Sequence, residues 1–169
     1  MGFKKISVQE LNCNPFTLIG DEWMLVSAGN EASGYNTMTA SWGGLGVIWN
    51  KPVATIYIRP QRYTKTFIDS QETFSLCVFD ESYKKQLGYL GRVSGKNEDK
   101  IKKAELTPKF IYDTTYFKEA KLVLICKKMY HAPLIPKGFM DVSIDEKNYP
   151  QKDYHDLYIG EIVEVLVKE

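Results

Sequence analysis

The sequence predicts a mainly β, α+β fold, an antiparallel barrel or sandwich with short helices set between the strands. Three observations carry that expectation. Six or so segments rich in β-branched and aromatic residues are separated by turn signals along the 169 residues. They do not alternate regularly with helical segments, which disfavours a doubly wound parallel sheet. The signature such a sheet uses for nucleotides, G-x-G-x-x-G between a strand and a helix, is missing.

Taken in order, Trp23 to Ala28 reads as a first strand ending at Gly29-Asn30. Glu31 to Ser41 is small and polar and reads as a loop. Leu45 to Trp49 and Val53 to Ile58 read as strands joined by Asn50-Lys51-Pro52, with Pro52 at a strand start where its missing N–H does least harm. Tyr63 to Gln71 reads as a helix that buries Phe67 and Ile68, and Thr73 to Phe79 as the clearest strand. Ser82 to Leu90 has Tyr83, Leu87 and Leu90 at helical spacing, with Gly91 as its C-terminal cap. Asn97 to Ala104 reads as a third helix capped by Asn97. Phe117 to Ala120, Lys121 to Tyr130 and Leu157 to Val167 complete the strands.

A chain of this length fits a single domain, residues 1–169, able to bury its own core. Its 22 Lys plus Arg against 21 Asp plus Glu leave a net charge of +1, and the lysine pairs are dispersed. Nucleic-acid binding needs a concentrated basic face and is not expected. Cys13, Cys77 and Cys126 are far apart without C-x-x-C, which argues against a disulfide framework and against a zinc site. The first eleven residues do not read as a signal peptide, and Ile6 stands where myristoylation needs Ser or Thr. No apolar run approaches the ~18 residues of a membrane span. The expectation is a soluble, cytoplasmic protein with no membrane partner.

Several enzyme signatures are absent. Gly91, Gly95 and Lys96 do not make G-x-x-x-x-G-K, and Asn97 stands where the metal-binding hydroxyl belongs. His131 and His155 lie outside any H-E-x-x-H, and no G-x-S-x-G elbow occurs. Chemistry borrowed from a cofactor remains.

Four stretches carry that reading. Asn36-Thr37-Met38-Thr39-Ala40-Ser41-Trp42 combines an amide, hydroxyls and small residues suited to the polar edge of a flat ring, though a polar loop with a core Trp has the same composition. Arg59-Pro60-Gln61-Arg62-Tyr63-Thr64-Lys65-Thr66 places cations and hydroxyls at a helix start, where free N–H groups favour an anion such as phosphate. Gly91 to Lys100 offers Ser94 and Gly95 for a backbone nest, with Arg92, Lys96 and Lys100 as charge; a solvated loop looks alike. His155 stands at the mouth of the last strand, within reach of a ring edge.

Together and in this order, the stretches resemble the flavin reductase-like family of FMN-binding split barrels, and flavoredoxins in particular. The matching patterns are N-T-x-T-x-S-W, R-P-x-R-x-T-x-x-x-I, G-R-x-S-G-x-x-x-D-K and H-x-x-Y-I-G-E-I, running from Trp23 to Glu164. The resemblance implies a six-stranded antiparallel split barrel with Greek-key character, dimeric, with FMN near the subunit interface. It implies Asn36, Thr37, Thr39, Ser41 and Trp42 along the flavin ring and ribityl chain, and Arg59, Arg62 and Thr64 towards the phosphate. Lys100, Ser94 and Lys96 would approach FMN from the third stretch, and His155 the ring. The stretch from Tyr130 to Gly138 departs from the family's pattern and makes His131 a second candidate for the ring neighbour. The implied activity is hydride transfer from NAD(P)H to FMN and onward electron transfer, with no catalytic side chain assigned. A non-catalytic FMN-binding electron carrier or sensor, reduced by a redox protein, is the alternative.

Overall fold

The structure is a computed structural model and describes residues 2–169. Ten strands form: β1 (Phe3–Ile6), β2 (Met24–Asn30), β3 (Gly34–Ala40), β4 (Gly43–Ile48), β5 (Lys51–Ile58), β6 (Thr73–Val78), β7 (Pro108–Ile111), β8 (Thr114–Phe117), β9 (Leu122–Pro133) and β10 (Asp156–Lys168). The main sheet runs β3-β2-β6-β9-β10-β5-β4, with β1 added on β10, and every pairing is antiparallel. Its two edge strands, β3 and β4, are consecutive in the chain and separated only by Ser41 and Trp42. The sheet therefore has to curl until its edges meet at that corner, yet no hydrogen-bond ladder closes the seam. This is a split barrel, as expected; the strand count is higher than the expected six.

Helices occupy the connections. They are α1 (Pro15–Thr17), α2 (Tyr63–Ser70), α3 (Lys84–Arg92), α4 (Lys100–Lys103) and α5 (Val142–Asn148). The chain leaves β5 through α2 and enters β6, although β10 and β9 lie between those two strands in the sheet. Such non-sequential neighbours are Greek-key connectivity.

Strand alternation divides the core between the two faces of the sheet. Phe74, Leu76 and Val78 of β6 point inward beside Leu122, Leu124 and Cys126 of β9. Cys77, Val123 and Ile125 point outward, where Leu87 and Leu90 of α3, Ile101 of α4 and Phe117 of β8 cover them. Burial pushes the Cys77 thiol up to about 12 and raises that of Cys126 as well, so both are small apolar fillers.

Several local expectations change. The segment taken as a loop from Glu31 to Ser41 is largely β3, hairpinned to β2 in register from Met24 with Ala40 to Asn30 with Gly34. Its polar residues are satisfied inside the strand, and its turn is made by the Asn30 side chain, which accepts from the N–H groups of Ala32 and Ser33 at 3.0 and 2.8 Å. The β4–β5 turn falls at Trp49-Asn50, both left-handed (φ 53° and 57°), and Pro52 lies inside β5 opposite Val47. Gly91 is a residue of α3 and not its cap. The third helix is only α4, capped by Asp99, whose side chain accepts from Lys102 N–H, and not by Asn97. Of the strand expected from Phe117 to Ala120, only Phe117 belongs to one. β1, β7 and α5 were not anticipated.

Candidate functional site

The ends of β3 and β5, the start of β10 and the start of α2 converge beside the open corner. The β10–β5 register pairs Asp156 with Ile58, which brings His155 next to Arg59 although they are far apart in sequence. Three cavities run together there. The first, about 360 Å3, is lined by Asn36, Arg59, Arg62, Thr64, Arg92, Ser94 and Lys100 among others. It shares Met38, Arg59 and Arg62 with a narrower one of about 180 Å3 along Thr39 to Trp42. That one shares Ser41, Trp42, Tyr57 and His155 with a third of about 690 Å3, whose walls are largely aromatic and aliphatic. The result is one groove with a cationic end and an apolar end.

The cationic end is built from capping interactions. Lys100 is 3% exposed, and its ammonium donates to the carbonyls of Leu90 and Val93 at 2.9 and 2.8 Å, closing the C-terminus of α3. Arg62 donates from Nη1 to the Gly91 carbonyl at 2.8 Å. No Asp or Glu lines this cavity. Burial, then the nearby Arg62 charge, lowers the Lys100 pKa to about 8; burial and Arg59 likewise lower that of Arg62. Two crowded cations lining a cavity without a carboxylate have the chemistry to hold an anion. The α2 N-terminus adds to it, since the first-turn N–H groups of a helix have no intrahelical acceptor. The buried Thr64 hydroxyl accepts from Asn36 Nδ2 at 3.0 Å, which leaves its own hydrogen for a ligand.

Arg59 is different. Asp153 pairs with it at 2.6 Å, the Asn148 carbonyl accepts from it at 2.9 Å, and its guanidinium lies 5.0 Å from the Tyr149 ring centre. Its charge is largely balanced, so it acts as a clamp between β5 and the segment before β10. Tyr149 in turn holds His155 Nδ1 at 2.7 Å. Desolvation first, then Arg59, drops the His155 pKa to about 4, so the imidazole is neutral near pH 7. The Trp42 ring lies 5.3 Å from it, centre to centre.

Of the residues picked from sequence, the groove gathers all but Thr37, Lys96 and His131. Thr37 turns to the outer face of β3, where its hydroxyl pairs with Ser27 at 2.7 Å and donates to the Val26 carbonyl. The alternation that aims Asn36 and Met38 into the groove aims Thr37 away. Lys96 does not line the groove; its ammonium sits 5.3 Å from the Tyr63 ring centre. Thr39 lines the middle, but its hydroxyl donates to the Leu87 carbonyl at 2.5 Å and so docks α3. His131 lies elsewhere, bonded to Asp156 at 2.7 Å and stacked on Tyr158 at 4.5 Å. Arg92, which the sequence offered only as charge in the third stretch, lines the groove, as do Tyr57 and Tyr149, which the sequence reading does not name. Arg92 was signalled by its place beside Gly91, whereas nothing local marks Tyr149 as the partner of His155.

A split barrel with a groove at its open corner, cationic at one end and aromatic at the other, defines a class of small-ligand-binding proteins. The particular family follows from comparison: residues 18–169 match the flavin reductase like domain, and the chain belongs to that family. Its fold is shared with flavoredoxin of Desulfovibrio vulgaris (TM-score 0.68, 24% identity, covering 98% of this chain and 78% of the other). It is shared too with a putative split-barrel flavin reductase of Shewanella frigidimarina (0.69, 20%, 100% and 81%) and with nitrilotriacetate monooxygenase component B of Bacillus cereus (0.67, 22%, 97% and 81%). No curated protein sequence matches the chain.

Proposed function

We propose that this chain binds FMN along the groove and works as a flavin reductase-like oxidoreductase, a homodimer that takes hydride from NAD(P)H and passes electrons to an acceptor. The observation that carries the reading is the carboxylate-free cavity of Arg62, Arg92, Lys100 and Thr64, continuous with an aromatic one. A ligand that is anionic at one end and flat and apolar at the other fits that polarity, and FMN is such a molecule. Bound flavin would supply the redox chemistry, accepting and releasing hydride at its ring.

The chain's own residues then have separable tasks. Lys100, Arg62 and the start of α2 would hold the phosphate, with the Thr64 hydroxyl as a neutral donor. Ser41 and Trp42, at the seam, would line the ribityl chain and ring. His155, kept neutral and fixed by Tyr149, would stand beside the ring, its Nε2 turned to the apolar cavity. A second copy has a natural place to pair: edge strand β4 leaves its outer side unbonded and exposes Val47 (76%) and, at the turn, Trp49 (54%).

Anaerobic titration of the purified, FMN-loaded protein with NADH and with NADPH tests the activity. Bleaching of the visible flavin bands by either is expected; bleaching by a protein reductant alone would make the chain an electron carrier instead. Light scattering should give a molar mass near twice 19.4 kDa. Replacing Thr64 and Lys100 together by Ala should weaken FMN far more than riboflavin. A lost charge-assisted bond is worth about 1.5–3 kcal/mol, roughly tenfold or more in affinity. Equal losses for the two ligands would remove the phosphate assignment.

A further inference from the structure

The apolar end of the groove differs in kind from the rest. Its cavity of about 690 Å3 has Phe16, Trp42, Tyr57, Phe139 and Tyr149 in its walls and no Asp, Glu, Lys or Arg among its lining residues. Few side-chain polar groups reach it, and among them His155 is fixed in orientation: Tyr149 holds Nδ1 at 2.7 Å, so Nε2 is the nitrogen left for a ligand. Phe16 at the mouth is 85% exposed and Ile144 on α5 is 46% exposed. Large apolar side chains exposed around a concave apolar site are a mark of ligand binding.

We propose that this cavity binds an uncharged, planar, conjugated carbonyl compound of the quinone class, the electron acceptor for a flavin held in the same groove. The inference rests on the FMN reading above and names its acceptor. Charge decides the class. A buried anion without a partner is strongly disfavoured, and every cation of the groove lies towards the other end or, like Arg59, is already paired. A phosphate-bearing or carboxylate acceptor would therefore find nothing here to balance it. Aromatic walls offer ring faces to a flat conjugated molecule, and Nε2 can bond its carbonyl oxygen. The low proton affinity of the buried imidazole keeps that end of the groove free of charge at neutral pH. In the step itself, a hydride would come from reduced flavin held in the groove, which would be left oxidised. The quinone takes that hydride and one proton from solvent and leaves as the hydroquinone.

Titration calorimetry of the oxidised FMN-loaded protein with 1,4-naphthoquinone and with its 2-sulfonate tests this directly. The neutral compound is expected to bind at least tenfold tighter. Ile144→Asp, and separately Phe16→Ser as a second exposed position, should weaken naphthoquinone tenfold or more and leave FMN affinity within twofold. Equal or tighter binding of the sulfonate, or indifference to both substitutions, overturns the proposal. So does loss of quinone binding that follows a change from dimer to monomer, because the cavity would then belong to the contact between copies. A protein that holds FMN but ignores naphthoquinone defeats this inference alone; one that does not hold FMN defeats the flavin reading and this with it.

Discussion

At the level of single residues, Lys100 and His155 are unusual in opposite ways. A fully buried ammonium is rare unless something pairs with it, and Lys100 has only carbonyls, at 2.9 and 2.8 Å. Its pKa falls from 10.5 to about 8, so the unfolded chain binds more protons between those values, and the free protein gains stability as pH rises through that window. Binding of a phosphate has the opposite dependence, because it favours the charged amine. With the second phosphate ionisation near about 6, FMN should bind best between about pH 6.5 and 8 and weaken as pH rises through about 8. Riboflavin should lack that alkaline fall, and Lys100→Met should abolish it while weakening FMN about tenfold. Fluorescence titrations across pH 6–10 read this, and an identical alkaline limb for riboflavin would refute it. His155, lowered from 6.5 to about 4, is neutral in the fold but protonates when unfolded. Its contribution is complete above pH 6.5 and is lost as pH falls towards 4. His155→Gln should therefore flatten the drop in urea midpoint between pH 6.5 and 4.5.

At the level of elements, legibility followed how far a strand's composition served the core. β6 buries all but its first residue and β9 buries Leu122 to Cys126, so their β-branched and aromatic runs were plain. β3 was hidden because its groove side needs Asn36 and its outer face pairs Thr37 with Ser27, so it looked like a loop. β1 and β7, with the sequences FKKI and PKFI, are too short and too charged to stand out. The cationic stretches of the site were legible because charge beside a helix start has a local meaning. The aromatic end was not, since it is assembled from α1, β5 and the segment from Leu134 to Tyr149, which share no sequence pattern. Two glycines show where elements touch. Gly29 has φ 93°, and a Cβ there would lie 2.2 Å from the Gly34 carbonyl oxygen. A Cβ on Gly95 would lie 2.3 Å from Asn36 Oδ1, and Asn36 is itself tied to Thr64. Gly95→Ala should thus push the α3–α4 connection off β3 and open the anion cavity. A stability loss of about 1–3 kcal/mol is expected, as for overpacking, together with weaker FMN binding. Calorimetry on the variant checks both, and unchanged FMN affinity would show that the cavity does not depend on this contact.

At the level of the whole molecule, the two halves of the core hang on the same strands. Leu25 of β2, Cys77 of β6 and Val123 of β9 belong to the outer layer, while Val26, Leu76 and Leu124 beside them belong to the inner one. The outer cover of α3, α4 and β8 therefore cannot leave without exposing one face of strands whose other face is the barrel interior. A chain built this way should unfold as one unit, even though its sheet is split. Phe74, inside, and Phe117, outside, are both 0% exposed, and truncation of either to Ala should cost about 3–5 kcal/mol. That is a large share of the roughly 5–15 kcal/mol typical of a folded domain. In urea, far-UV and near-UV circular dichroism should give coincident single transitions for the flavin-free protein and for both variants, each midpoint moved down. A Phe117→Ala protein that first loses near-UV signal while the sheet's far-UV signal persists would show the outer layer melting separately. The cationic cavity would then stand on a detachable cover, because Lys100 and Arg92 belong to that layer while Asn36 and Arg59 belong to the barrel.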